Sequence, residues 1–123
     1  MNDNEMNKPF SNVIVMTDDE TDSIVSGYIV FWIMFEECHI LNVTVNREWR
    51  GLGYGVKLVR LAIDQALRKN CKKVILEVRK SNEAAIELYQ KLGFFTESIK
   101  KNFYSDSEDA IFMAKFLEKE NQF

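Results

Sequence analysis

VTVNREWRGLGYGVKLVRLAIDQALRKN (Val43–Asn70) contains the change of period on which the fold turns. Val43, Thr44 and Val45 close an apolar run that starts at His39 and reads as a strand. From Gly55 onward, apolar residues fall at Val56, Val59, Ile63, Ala66 and Leu67, with Leu58, Leu61 and Ala62 widening the stripe. That spacing is helical, and Asn70 is a common residue just past a helix end. Between the two periods stand Gly51, Gly53 and Gly55, three of the five glycines in the chain. A strand, a glycine loop and a helix start together present unpaired backbone N–H groups and the positive end of a helix dipole. Glycine also lets a phosphate oxygen approach the backbone with no Cβ in its path. The same residues suit a flexible turn into a helix, and on the glycines alone the two readings stand level.

Before this stretch, Asn12–Met16 reads as a short strand, Thr17–Asp22 as an acidic turn, and Ile24–Phe35 as a long strand with an irregularity at Ser26-Gly27. A turn at Glu36-Glu37 makes these an antiparallel pair with His39–Val45, which is apolar at both parities and is expected to be buried. After it, Lys73–Arg79 reads as a buried strand. Ser81-Asn82-Glu83 opens a second helix with a capping residue and an acidic first turn. That helix runs to about Leu92, with Gly93 as its C′ residue. Phe94–Lys100 and Ala110–Leu117 are two further strands joined by residues 101–109. The order β-β-β-α-β-α-β-β gives an α/β fold: a mixed, largely antiparallel central sheet with helices packed on it. The strand, helix and parallel return strand at its centre form a right-handed crossover. A single domain is expected over 11–119, with a loose polar leader over 1–10 and a tail over 120–123.

Composition removes several function classes. The 123 residues suit one domain with a core that needs no staples. Sixteen basic and 19 acidic residues leave a net charge of −3, with no basic excess for a nucleic-acid partner. The longest apolar run, Tyr28–Phe35, has eight residues, against about 20 for a membrane helix. The first residues carry no apolar signal core, so a cytoplasmic location is expected. Cys38 and Cys71 show no Cys-x-x-Cys spacing and read as reduced core thiols. His39 is the only histidine, which leaves no zinc site of several Cys and His ligands, and no metal is expected. A histidine-based triad would have to use His39 from inside an apolar strand.

Two phosphate-binding patterns fail on the glycine loop. A P-loop needs Gly-Lys-Ser/Thr at the helix start, where this chain has Gly55-Val56-Lys57-Leu58. The dinucleotide fingerprint started at Gly51 meets Val56 in place of its third glycine. The pattern that fits is Arg/Gln-x-x-Gly-x-Gly/Ala, over Arg50–Gly55. With it, the chain resembles the GNAT superfamily of N-acetyltransferases, in which this motif holds the acetyl-CoA pyrophosphate. LEVRKSNEAAIELYQKLGF (Leu76–Phe94) is similar to the RimI-like, ribosomal-protein-alanine N-acetyltransferase type, as is the tail from Asn102-Phe103-Tyr104 to Met113. The likeness spans about residues 38–117.

The resemblance implies a function and a site. The chain would be an acetyl-CoA-dependent N-acetyltransferase acting on a primary amine, first of all a protein N-terminal α-amine, with a ribosomal protein as one candidate. Val43, Thr44 and Val45 would offer backbone groups to the pantetheine arm and thioester, and Arg50, Gly51, Leu52, Gly53, Tyr54, Gly55 and Val56 would wrap the pyrophosphate. Asn82 would hydrogen-bond the cofactor arm, although it also stands in a helix-capping position. Glu77 would accept the amine's proton and Tyr89 would protonate the leaving thiolate; both also have ordinary structural roles open to them. Tyr104 would line the acceptor groove. The family usually carries a strand and two helices before its first hairpin. About ten residues stand there in this chain, so it is expected to be N-terminally shortened on the acceptor side. A small-amine acetyltransferase and a non-catalytic acyl-CoA-binding or interaction domain are the alternatives. A homodimer is left open as a partner, and no membrane partner is expected.

Overall fold

The computed structural model describes residues 10–17 and 24–118. The leader over 1–10 apart from Phe10, the acidic turn apart from Thr17, and the tail over 120–123 lie outside the described residues. The elements are β1 (Phe10–Thr17), β2 (Val25–Met34), β3 (Glu37–Val45), a 3₁₀ turn (Arg47–Trp49), α1 (Tyr54–Arg68), β4 (Lys73–Arg79), α2 (Glu83–Lys91), β5 (Phe95–Lys100) and β6 (Ala110–Phe116). They form one six-stranded sheet in the order β1-β2-β3-β4-β6-β5. The β3–β4 pair is parallel and the other four are antiparallel.

One face of the sheet builds the core. Ile29, Phe31 and Ile33 of β2 join Cys38 and Ile40 of β3, Val74, Leu76 and Val78 of β4, and Ile111 and Met113 of β6. The stripe Leu58, Val59, Ala62 and Ala66 of α1 is fully buried against them. Burial of this kind contributes about 25 cal/mol per Å² of apolar surface, so these positions hold the helix on the sheet. From α2, Ala85, Ile86, Tyr89 and Leu92 pack on the same cluster. Cys38 and Cys71 are buried free thiols, and burial pushes the Cys38 thiol up to about 12.

The expected irregularity at Ser26-Gly27 is a register shift: Met16 pairs with Gly27 but Thr17 pairs with Val25, so Ser26 is left over. Its buried Oγ is satisfied by donating to the Met16 carbonyl at 3.1 Å. Two expectations are corrected. The turn falls at Phe35-Glu36, with Phe35 at φ 56°, and Glu37 already belongs to β3. Nor is the His39–Val45 strand buried throughout. Leu41 and Asn42 are exposed, and Val43–Val45 are half-buried. The physical reason is that β3 pairs with β4 only from Glu37–Lys73 to Ile40–Leu76. A second register shift, from Val30–Asn42 to Phe31–Ile40, makes Leu41 an extra residue at that same point.

Candidate functional site

Beyond the Ile40–Leu76 pair, β3 stays paired with β2 as far as Val45, and β4 stays paired with β6 as far as Arg79. Each strand is therefore held on its outer side while the inner sides part. A cleft of about 620 Å³ opens there, lined by Val43, Thr44, Val45, Arg50, Gly55, Val59, Asn82, Ala84, Ala85, Leu88 and Tyr89. The inner edge of β3 faces it with backbone groups that no β4 residue takes up.

The glycine loop is tied to the strand ends. The Asn46 N–H donates to the Ser26 carbonyl at 2.8 Å, and the Asn46 side chain donates to the Val25 carbonyl. Arg50 Nε donates to the Val45 carbonyl at 3.0 Å, and the Trp49 and Tyr54 rings lie 5.9 Å apart. Gly51 and Gly53 sit at φ 79° and 84°, the left-handed region that glycine occupies without penalty. A Cβ on either would meet no atom within 4 Å, so conformation and not crowding selects glycine there. Gly53 is the N-cap of α1 and has no side chain to satisfy the first-turn amides. The first turn also carries no acidic side chain. A 15-residue helix thus presents its positive end, uncapped, next to the cleft.

Asn82 caps α2, its Oδ1 accepting from the Ala85 N–H at 3.2 Å. The cap uses the oxygen and leaves the amide NH₂ as a donor at the cleft. Tyr89 meets Phe94 edge-on at 5.8 Å, and burial raises its pKa, so the phenol keeps its proton through neutral pH. Glu77 is the first β4 residue past the last pair with β3. It is exposed, lies across from Phe112 of β6, and accepts a hydrogen bond from Tyr104 Oη at 3.1 Å. Burial, followed by the Glu77 charge and hydrogen bond, raises the Tyr104 pKa.

Of the residues expected at a site, the cleft gathers Val43, Thr44, Val45, Arg50, Gly55, Asn82 and Tyr89. Gly51, Leu52, Gly53 and Tyr54 form the adjoining loop and helix start outside its lining, with Leu52 62% exposed. Val56 faces a neighbouring groove of about 490 Å³ with Arg60, Glu87 and Lys91. Glu77 and Tyr104 do not line the cleft; they stand together at the mouth of the parting strands. Sequence reasoning missed Val59, Ala84, Ala85 and Leu88 as lining residues. The signal for two of them was available: Ala84-Ala85, in the first turn after the capping Asn82, keeps that helix turn slim. Among the described residues no cluster of three His, Cys, Asp or Glu could hold a metal, and no helix is long and apolar enough to cross a membrane.

The model of the acetyltransferase (GNAT) family matches residues 2–94. A putative ribosomal protein bS18-alanine N-acetyltransferase of Bacillus subtilis (strain 168) is 35% identical over 109 residues, covering 88% of this chain and 70% of that protein. The crystal structure of the ribosomal-protein-S18-alanine N-acetyltransferase from Escherichia coli matches with a TM-score of 0.79 and 30% identity, over 92% of this chain and 74% of that one. A putative streptothricin acetyltransferase from Bacillus anthracis str. Ames, in complex with acetyl coenzyme A, matches with a TM-score of 0.79 and 26% identity, over 96% of this chain and 69% of that one. Among the curated relatives it matches, this chain spans 62–70% of their lengths.

Proposed function

Because the chain belongs to the GNAT family of acetyltransferases, we propose that it moves an acetyl group from acetyl-CoA to a primary amine, foremost a protein N-terminal α-amine. The observation that carries this reading is the convergence on one cleft of an unpaired β3 edge, an uncapped helix start and the Asn82 and Tyr89 side chains. These groups fit the cofactor's parts. The β3 edge over Val43–Val45 suits the amides of a pantetheine arm, and the amides from Gly51 to Val56, with Arg50, suit a pyrophosphate. The Asn82 NH₂, which the helix cap does not use, would donate to the arm.

Bound there, acetyl-CoA supplies an activated acetyl thioester. An α-amine with a pKa near 8 is largely protonated at pH 7, and Glu77 at the strand mouth accepts its proton, directly or through water. Tyr89, which holds its phenolic proton, gives it to the thiolate that leaves. The similarity to ribosomal-protein-alanine N-acetyltransferases makes a ribosomal protein N-terminus the first acceptor to try.

The test offers three acceptors with acetyl-CoA and follows thiol release: a peptide with a free N-terminal alanine, the same peptide N-terminally blocked with an internal lysine, and a small primary amine. Turnover of the first above the others is expected. Acetyl-CoA binding with no acceptor turning over would make the chain a binding domain. Glu77→Gln should lower kcat by about 10²-fold near neutrality and by less above the amine's pKa. A loss independent of pH would remove Glu77 from the proton-accepting role.

A further inference from the structure

Glu77 does not stand alone at the strand mouth. Arg79, two residues on along β4, lies with its Cζ 3.9 Å from the centroid of the Tyr104 ring, and Tyr104 Oη donates to Glu77 Oε2 at 3.1 Å. The same guanidinium reaches past the ring: Nη1 donates to Asp106 Oδ2 at 3.0 Å and to Glu108 Oε1 at 2.9 Å. Both acids are in turn fixed to backbone. Glu108 Oε2 accepts from the Ser81 N–H at 2.9 Å, and Asp106 Oδ1 accepts from the Glu108 N–H at 3.1 Å. The Tyr104 N–H donates to the Glu108 carbonyl at 3.1 Å, which closes the turn. The middle of the 101–109 connection, from Tyr104 to Glu108, is thus folded around one cation on β4.

We propose that Arg79 is a positioning residue: it clamps the 101–109 connection so that Tyr104 Oη stays on one oxygen of Glu77, leaving the other to take the acceptor's proton. This rests on the reading of Glu77 as proton acceptor. It gives Tyr104 a second duty beyond lining the acceptor groove. A planar guanidinium can stack on a ring and pair with two carboxylates in one placement; a lysine ammonium carries the charge but has no plane to stack. Arg79→Lys therefore tests geometry separately from charge.

The first readout is the ionisation of Tyr104 itself, taken from the ultraviolet phenolate signal as the difference between a protein and its Tyr104→Phe counterpart. Glu77 and Arg79 of β4 and Asp106 and Glu108 of the connection are the charged groups around that phenol. In the unaltered protein its pKa is raised by burial and by Glu77, while Arg79 opposes the rise. If Arg79 positions the ring, Arg79→Gln and Arg79→Lys both release it, and the phenol falls back toward about 10. If Arg79 acts only through its charge, Arg79→Gln raises the pKa further and Arg79→Lys restores it; either result overturns the proposal. The second readout is kinetic. Arg79→Gln should lower kcat by up to about 10²-fold with KM for acetyl-CoA unchanged, and should add nothing in a Tyr104→Phe background. Additive losses would overturn the proposal. Failure of the unaltered protein to turn over any acceptor would remove the acetyltransferase reading, and the phenol titration would still decide whether Arg79 places Tyr104.

Discussion

Ile40 and Leu76 form the last pair between β3 and β4, and the candidate site lies on the far side of that pair. Both side chains are buried in the core, at 6% and 3% exposure, so the point of parting is anchored from below. What opens beyond it is a gap between two strands that each stay paired with a neighbour on their other side.

The glycines of the loop should separate into two kinds. A Cβ on Gly55 would sit 3.8 Å from Leu88 and 3.9 Å from Val45, ordinary contacts, yet it would stand in the cleft lining. Gly55→Ala should leave the melting temperature unchanged or higher, by up to about 1 kcal/mol of added stability, and calorimetry should still show acetyl-CoA binding, because the loop pattern takes glycine or alanine at that place. Gly53→Val meets the positive φ directly and should destabilise by about 1–3 kcal/mol as well as abolish binding. Unchanged affinity in Gly53→Val would count against the cofactor cleft.

Asn82 should show two separable duties. Asn82→Ala removes the cap and should lower stability by about 1 kcal/mol. Asn82→Asp keeps an oxygen for the Ala85 N–H but has no NH₂ to offer, and it adds negative charge at the cleft. Stability close to that of the unaltered protein with weaker acetyl-CoA binding is the expected result. Equal affinity in Asn82→Asp would reduce Asn82 to a cap.

Tyr89→Phe keeps the ring against Phe94 and removes the proton. The melting temperature and acetyl-CoA affinity should hold, while kcat falls by about 10²-fold or more. Full turnover in Tyr89→Phe would assign the thiolate's proton to another donor.

Alkaline stability follows from the thiols. The Cys38 pKa is raised from 9.0 to about 12 in the folded chain. A raised pKa contributes stability that is fully present below the unfolded value and is lost as pH climbs through the folded one. Denaturant midpoints should therefore decline from about pH 9 toward pH 12, and Cys38→Val should flatten that decline. Cys71 and Tyr89, raised by burial in the same direction, keep part of the slope. An identical slope in Cys38→Val would place the effect elsewhere.

The parts of the fold that were legible are those whose signal is local. The change from alternating to helical spacing after the glycines located α1, and the bounds Lys73–Arg79 for β4 coincide with the observed strand. The Asn82 cap and Gly93, at φ 95°, framed α2 because capping is decided within one turn. What could not be read depends on distant partners. Val43–Val45 look like core from their own residue types, and only the missing β4 partner leaves them half-exposed. The contacts of Glu77 are equally remote. Its partner is a phenol 27 residues away, and the cation, Arg79, pairs instead with Asp106 and Glu108.

Leu41, the extra residue of β3, has a further consequence. Before it, Cys38 and Ile40 point to the helices; after it, Val43 and Val45, across from Ile29 and Gly27, do so with opposite parity. The side chain of Leu41 is 57% exposed and is dispensable by that measure, and its place in the chain acts through the bend that an extra residue puts in β3. Substitutions there should be silent, and deleting the residue should heal the bulge with Asn42 and Thr44 still outward and Val43 and Val45 still inward, because regular alternation from Ile40 then gives the same facing. The bend and not the side chain is what Leu41 contributes: losing the residue should straighten β3 where it leaves β4 and narrow the cleft, while the wall residues keep their facing.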